Sequence, residues 1–431
     1  MAKTLSELRF GLQGLSYLDS VSARPERRVD LGGAPAPHLL VWGSEDIAEI
    51  FRAERDTRLE ESDTLRPLVG STSLLFANGP RHVAYRQTVG PALRGRRLDG
   101  YRPAIVDIAE RAGAELATKD AFVVPAWARR VTLRVIGRIL LGDADSDLLT
   151  RLSDLVERVL GTPSRTLRYR YLRPPAAVPS LWRSFLRDRD ALRHDLRHDE
   201  RHDLRAARPD EGTGCPVLAA ELASGQPPLG PLDPDELTDQ LMSLIFAGHE
   251  TTASAIAWTL YWLAGHDRVR ADLRAELTAS SADGSSAADL PLLDAVCRES
   301  LRITPPATIA GRRVLTTDRQ LLGAPMSAGT KLTPCIQLAH RQPDVYPRPD
   351  RFDPGRFLDR TWSGHRYLPF GGGTRRCLGA DLAMMEMRIV VAAVLRRVEL
   401  GRPGPRAGIP HRRGPAMGPA PTLTLTVRPC P

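Results

Sequence analysis

Apolar residues recur three and four positions apart along most of this chain. That spacing gathers them on one side of an α-helix, so each such run predicts a helix with one buried face. The clearest runs are EDIAEIFRAE (45–54), HVAYRQTVGPAL (82–93), AIVDIAERAGAELA (104–117) and WARRVTLRVIGRILLG (127–142). Shorter runs near 147–160 and 180–207 flank an irregular stretch at 161–179, and further helices are expected at 268–278, 289–303 and 381–397. The longest candidate is 234–265, where LDPDE puts acids in the first turn, the end of a helix that favours negative charge. At 1.5 Å per residue it would span roughly 48 Å, enough to cross a whole domain. LMSLIFA leads into its middle and ASAIAWTLYWLAG follows, so it is apolar nearly all round and should be buried. Between them stands the polar segment AGHETT (247–252). A Glu–Thr pair inside a buried helix is costly unless it serves something. Thr251 can bond its own helix carbonyls or open a kink beside Gly248.

Strand signals are few: 37–42, 311–315, 330–334 and 422–427. ASSADGSSAAD (279–289) has the composition of a surface loop. There is no internal repeat, and no linker divides the chain into halves. The expectation is one mainly helical domain over residues 1–431 with a small β region.

Composition narrows the function. The chain has 431 residues, 42% hydrophobic, which supplies a sizeable core. Its net charge of +9 rests on arginine, since Lys3, Lys119 and Lys331 are the only lysines. The arginines are dispersed among acids, and no basic block carries interleaved aromatics. Nucleic acid is therefore not expected, and a basic docking face for an acidic protein partner fits better. No leader peptide and no membrane-length apolar stretch is visible, so the reading is a soluble cytoplasmic protein. His194, His198 and His202 recur every four residues, a spacing able to bind zinc. Arg and Asp surround each one, so a solvated, ion-paired face is expected instead.

Five cysteines occur, Cys215, Cys297, Cys335, Cys377 and Cys430, without any C-x-x-C pair or disulfide framework. Cys377 differs from the rest by its setting, FGGGTRRCLG (370–379). Gly371, Gly372 and Gly373 permit unusual backbone angles and close approach of a ligand. The cysteine stands just ahead of the predicted 381–397 helix, whose unpaired N–H groups favour an anionic sulfur, and Arg375 and Arg376 add positive charge. These features point to a functional thiolate. No histidine or acid can be assigned as the base that a nucleophilic cysteine requires.

The form F-x-x-G-x-R-x-C-x-G, carried by Phe370, Gly373, Arg375, Cys377 and Gly379, resembles the haem-binding loop of the cytochrome P-450 monooxygenases. Three more segments stand in that family's order. AGHETT is similar to its oxygen-binding segment. ESLRITPP (299–306) is similar to its E-x-x-R motif, with Glu299 and Arg302 on one helix face and Arg356 of FDPGRF (352–357) as third partner. HVAYR (82–86) matches H-x-x-x-R. The resemblance runs from about residue 37 to the C-terminus. Leu93 where Phe is common, and Gln342 in place of an acid, are departures away from the chemistry.

The resemblance implies a mostly α, prism-shaped fold with haem between the 234–265 helix and the Cys377 loop. It implies haem b with Cys377 as axial ligand, His82, Arg86, Arg313 and Arg375 as propionate partners, and contacts from Ala247 and Gly248. Thr251 and Glu250 would position water and relay protons as one oxygen atom of O2 enters a hydrophobic substrate, by hydroxylation or epoxidation. A peroxide-driven or coupling enzyme of the same family, or a non-enzymatic haem sensor, is the alternative. Carried over by motif, the substrate-facing positions are Leu75, Phe76, Ile245, Phe246, Ala247, Ile309, Ala310, Ala416 and Met417, with 161–181 as a lid. The substrate class expected is a secondary metabolite. Electrons would come from NAD(P)H through a separate ferredoxin and its reductase, docking near Arg94, Arg96, Arg97 and Arg376 on a monomeric protein.

Overall fold

The computed structural model describes residues 5–33, 36–60, 65–142, 147–160, 179–198, 218, 222, 227–283, 289–413 and 416–430. The chain forms two compact units, each from two separated stretches: 1–61 with 301–377, and 62–300 with 378–431.

The first unit is built on a five-stranded sheet. Its spatial order is Arg28–Asp30, His38–Val41, Lys331–Pro334, Arg312–Leu315, Thr57–Glu60. His38–Val41 runs parallel to Lys331–Pro334, and the other pairings are antiparallel. HLLVW (38–42) is almost continuously buried, as expected of an interior strand covered on both faces. Its Leu40, Val41 and Trp42 join Ile47 and Ile50 of the Ser44–Arg52 helix and Leu332, Ile336 and Leu368 in one apolar cluster. A hairpin, Arg319–Leu321 with Ala324–Met326, completes this unit's strands among the described residues.

The second unit is helical. Pro234–Gly265, the central helix, packs most extensively on Val124–Leu141, and Ala380–Arg397 packs on Arg97–Ala117. Asp233 caps the central helix, accepting the Glu236 N–H at 2.8 Å. Asp147–Leu160, Pro179–His198 and Asp267–Asp283 add further helices. A three-stranded sheet places Thr424–Pro429 between Ala121–Val123 and Val398–Leu400. The hairpin His411–Arg413 with Ala416–Gly418 lies against the central helix, where Trp258 Nε1 donates to the Met417 carbonyl at 3.2 Å.

The periodic runs emerge as helices, with 199–207 of the expected 180–207 run outside the described residues, and all four expected strands form. Several boundaries move. The helix expected from 104 begins at Arg97, because Pro103 nearly two turns inside the N-terminus removes a single bond while Leu98 and Tyr101 are buried. The loop expected from 279 is helical through Asp283.

Candidate functional site

Cys377 closes a tight loop in the first unit. Its N–H donates to the Phe370 carbonyl at 2.9 Å, and Gly371 and Gly373 take φ of 67° and 65°, a region that favours glycine. The other described thiols sit in different surroundings. Cys297 and Cys335 are fully buried, and burial pushes each thiol up to about 12. Cys430 is half-buried with its sulfur against the Leu395 carbonyl. Cys377 is exposed. Cys215 lies outside the described residues.

The loop is anchored by a residue that no motif marks. Glu54, in a short 3-10 turn after the Ser44–Arg52 helix, accepts from Arg313 Nη2 at 2.7 Å and Nε at 3.1 Å. Its other oxygen accepts the Thr374 N–H. A Cβ on Gly373 would stand 2.2 Å from that carboxylate, and one on Gly372 would stand 2.2 Å from the Phe51 ring. Arg313 also donates to the Gly372 carbonyl at 2.9 Å and is buried. The arginine expected at a propionate therefore braces the cysteine loop here. Arg312 pairs instead with Glu60 at 2.8 Å.

The chain entering the loop rests on a second network. Arg302 and Glu299 are both fully buried on the Pro291–Ile303 helix. Arg302 donates to the carbonyls of His340 at 2.9 Å and Arg351 at 3.2 Å, and its guanidinium lies over the Tyr346 ring. Arg356, expected as third partner, donates to the Arg348 carbonyl at 3.0 Å. His340, which sequence reasoning missed, is the centre. Its Nε2 accepts the Leu368 N–H at 2.9 Å, so Nδ1 carries the proton and donates to the Arg302 carbonyl at 3.2 Å. Burial, helped by the nearby Arg302 charge, holds this imidazole down at about 3.

In the second unit the central helix is uninterrupted from Pro234 to Gly265. Between Thr238 and Leu260 its accessible positions are Leu244, Ala247, Gly248 and Thr251, spaced as one helix face. Small residues make the middle of this stripe flat. Thr251 Oγ1 donates back to the Ala247 carbonyl at 2.8 Å. A Cβ on Gly248 would lie 3.0 Å from Ile136 Cδ1, so this glycine also sets how closely the Val124–Leu141 helix approaches. Ile245 and Phe246, expected to face substrate, are buried at 1% and 5% exposure. Ala416 and Met417 are buried as well, as is Ala310 in the first unit, while Ile309 is half-buried.

Glu250 points away from that stripe into a charged cluster. Arg413 Nε and Nη2 donate to its two oxygens at 3.1 Å each, and Nη2 reaches Glu157 at 2.6 Å. The positive groups around it outweigh burial and hold Glu250 below the usual carboxylate range. His249, beside it, is buried, with Nε2 at 3.1 Å from the Arg129 carbonyl.

His82 is buried and Arg86 half-buried on the Gly79–Val89 helix. The segment before them is tied to the central helix. Asp239 accepts from Thr72 N–H at 3.0 Å and Oγ1 at 2.7 Å, and from Arg193 at 2.5 Å. Gln240 bonds Leu74 N–H, the Thr72 carbonyl and the Tyr85 hydroxyl. Tyr85 also donates to Glu236. Leu75 and Phe76 sit half-buried on this tethered segment, with Arg66 stacked 4.2 Å over the Phe76 ring. Arg94, Arg96, Arg97 and Arg376 are exposed, and Arg375 is half-buried. His194 is exposed beside Asp195. His198 and His202, like the expected lid, lie outside what the structure describes of side chains. Among the described residues no group of His, Cys, Asp and Glu could hold a metal ion, and no helix is long and apolar enough to cross a membrane.

The sequence matches the family model described as Cytochrome P450 over residues 8–419. It is 35% identical, over 79% of this chain and 71% of the other, to "Putative cytochrome P450 135B1" of Mycobacterium tuberculosis. It is 31% identical to "Putative cytochrome P450 138" of Mycobacterium bovis, over 94% of this chain and 92% of the relative. In fold it is similar to a retinoic acid-bound cyanobacterial CYP120A1, with TM-score 0.83, 23% identity and coverage of 98% and 96%. CYP175A1 of Thermus thermophilus gives TM-score 0.76 at 24% identity, covering 98% of this chain and 97% of that one.

Proposed function

Because the chain belongs to the cytochrome P450 family of haem monooxygenases, we propose that Cys377 is its haem-iron ligand and that it oxidises a hydrophobic small molecule. The exposure of Cys377, set against the burial of Cys297 and Cys335, carries the ligand assignment. Gly379 supports it: a Cβ there meets no atom of this chain within 4 Å and its φ of −88° needs no glycine, so the missing side chain leaves room for something else. Haem b bound by a thiolate supplies activation of O2, the sulfur pushing electron density that favours O–O cleavage.

The chain's own residues do the rest. Phe370, Gly371 and Gly373 fold the loop that presents the sulfur. His82, Arg86 and Arg375 supply hydrogen-bond donors for the propionates, and Arg313 does so by sharing its charge between a propionate and Glu54. Thr251 stands on the accessible stripe of the central helix and holds water there, with Glu250 as its proton source. Leu75, Phe76, Ala247 and Ile309 are the substrate positions that keep accessible surface, and they are apolar. Walls of that kind suit a secondary metabolite held by burial rather than by charge. Electrons come from NAD(P)H by way of a ferredoxin, steered to the exposed Arg94, Arg96, Arg97 and Arg376, in the cytoplasm.

Cys377→Ser tests the ligand. The reduced carbon monoxide complex of the parent protein should show the red-shifted band of a thiolate-bound haem, and the variant should lose it. Cys297→Ala and Cys335→Ala should keep it. A band that survives in Cys377→Ser overturns the assignment.

A further inference from the structure

Glu250 poses a mechanical problem for the role just proposed, on which this inference rests. Thr251 lies on the accessible stripe of the central helix, whereas the Glu250 carboxylate is 5% exposed and gripped by Arg413 through both oxygens. A carboxylate so held is ionised and has no proton to give. It must leave Arg413, or be protonated beside it, once in each cycle. Leaving a buried arginine without a counter-charge is strongly unfavourable, which would block the step. Glu157 removes the obstacle. Its carboxylate accepts from the same Nη2 at 2.6 Å, and its side chain is 46% exposed against 8% for Arg413. When Glu250 is neutralised, the guanidinium still has a partner, and that partner is in touch with solvent.

We propose that Arg413 is a positioning residue for Glu250, and that Glu157 is the solvent-facing counter-ion that allows Glu250 to take up a proton. The proton comes from solvent and neutralises the Glu250 carboxylate, which lets go of Arg413. It is then passed to water held by Thr251, and the ionised carboxylate is recaptured.

Every charged group facing Glu250 enters the balance. Burial opposes the ionised form of Glu250. His249 on the same helix, Arg413 from the hairpin and Arg129 from the Val124–Leu141 helix favour it, in that order. Burial in turn lowers the proton affinity of His249. Glu157, from the Asp147–Leu160 helix, draws off part of the Arg413 charge. Removing Glu157 therefore concentrates Arg413 on Glu250 and lowers its proton affinity. Removing Arg413 raises it.

The experiment is an infrared pH titration of the haem-loaded protein, following the protonated-carboxyl stretch of Glu250, with Glu250→Gln to assign the band. Glu157→Gln changes a half-exposed group and leaves the core intact. In it the Glu250 midpoint should fall by about one pH unit, at the low end of what a neighbouring charge does. In Arg413→Gln it should rise. The fraction of NADPH electrons lost as hydrogen peroxide, measured with a surrogate ferredoxin and reductase, should rise in Glu157→Gln and recover when the pH is lowered by the same amount. A merely structural Glu157 would not give a pH-recoverable loss. A Glu250 midpoint that does not move in Glu157→Gln overturns the proposal. The titration needs no turnover, so it stands apart from the ligand test. A parent protein without the thiolate band would fail the functional reading while the Glu250 midpoints still judged this one.

Discussion

Arg313 and Glu54 face each other at 2.7 Å with side chains only 2% and 5% exposed, and between them they hold three residues of the cysteine loop. Arg313 carries Gly372 through its carbonyl, and Glu54 carries Thr374 through its N–H while leaving space only for glycine at 373. The pair is the mould in which the Cys377 loop sets.

Glu54→Gln should therefore be costly in haem-free protein. It removes the counter-charge of a buried guanidinium, a loss of about 3–5 kcal/mol when one partner of a buried pair is removed. A propionate offers Arg313 another anion, so the loss should be smaller in the haem-loaded protein. Urea denaturation of both forms measures the difference. Equal losses would show that Arg313 serves the loop alone.

His340 gives the protein an acid weakness. Its folded-state value of about 3 lies far below the ordinary 6.5, so the fold favours the neutral ring. The unfolded chain binds the proton first. The stabilisation from this residue is thus complete above about pH 6.5 and is lost as pH falls from there toward 3. His340→Gln keeps an acceptor for the Leu368 N–H and removes the titration. It should be less stable at pH 8 by about 1–3 kcal/mol, with a flatter decline between pH 6.5 and 4. Denaturation midpoints at four pH values check this, and parallel curves for the two proteins would refute it.

Much of this could be read in the chain because local pattern decides it. The central helix is visible from Pro234 to Gly265 because its apolar run is long and its acidic start is explicit. The cysteine loop is visible because glycines, arginines and one thiol share ten residues. Contacts between distant segments leave no such mark. Glu54 looks like any acid at a helix end, and Arg413 like any arginine in a basic tail, yet each pairs with a residue more than a hundred positions away. Short strands such as Thr57–Glu60 and Ala121–Val123 are too brief for alternation to show, and they form because a neighbouring strand pairs with them. The motif places Ile245 and Phe246 near substrate but does not mark which positions of the helix keep accessible surface. Those are Leu244, Ala247, Gly248 and Thr251, since one step of about 100° per residue decides which side chains are buried.

Gly248 tests the close contact between two helices. A methyl there meets Ile136 Cδ1 at 3.0 Å and Cγ1 at 3.3 Å, so the isoleucine must move. Gly248→Ala gains helix propensity worth about 1 kcal/mol, but overpacking costs about 1–3 kcal/mol. A net loss of up to about 2 kcal/mol is expected from these opposing effects. Ile136→Val trims Cδ1 and should recover most of that loss in the double variant. Thermal melts of the four proteins of this cycle measure the coupling. Additive effects would mean the clash is relieved elsewhere.

Asp239 joins three segments through one carboxylate, and this makes a graded prediction possible. Oδ2 takes two bonds from Thr72, and Oδ1 takes Arg193 from the Pro179–His198 helix. Arg189 of that helix also reaches the Pro67 carbonyl at 3.1 Å. The segment from Pro67 to Ala77, which carries Leu75 and Phe76, is thus held from the central helix and from the Pro179–His198 helix together. Gly70 shows how tightly: its φ is +84°, and a Cβ would fall 1.9 Å from the Asp239 carboxylate. Asp239→Asn keeps an acceptor for Thr72 and gives up the charge on Arg193, whereas Asp239→Ala gives up both and leaves Arg193 the more distant Asp235 at 3.7 Å. Hydrogen exchange of the amides at 72 and 74 should accelerate in both, by more than tenfold in Asp239→Ala, since 1.4 kcal/mol is one factor of ten and a broken buried pair costs about 3–5. Arg193→Met should fall between the two. It removes the cation but leaves Thr72 to hold the carboxylate. Imidazole binding to the haem-loaded variants should speed up in the same order, because a freed segment opens the way past Leu75 and Phe76. Faster amide exchange without faster imidazole binding would separate the tether from access, and unchanged exchange in Asp239→Ala would remove the tether altogether.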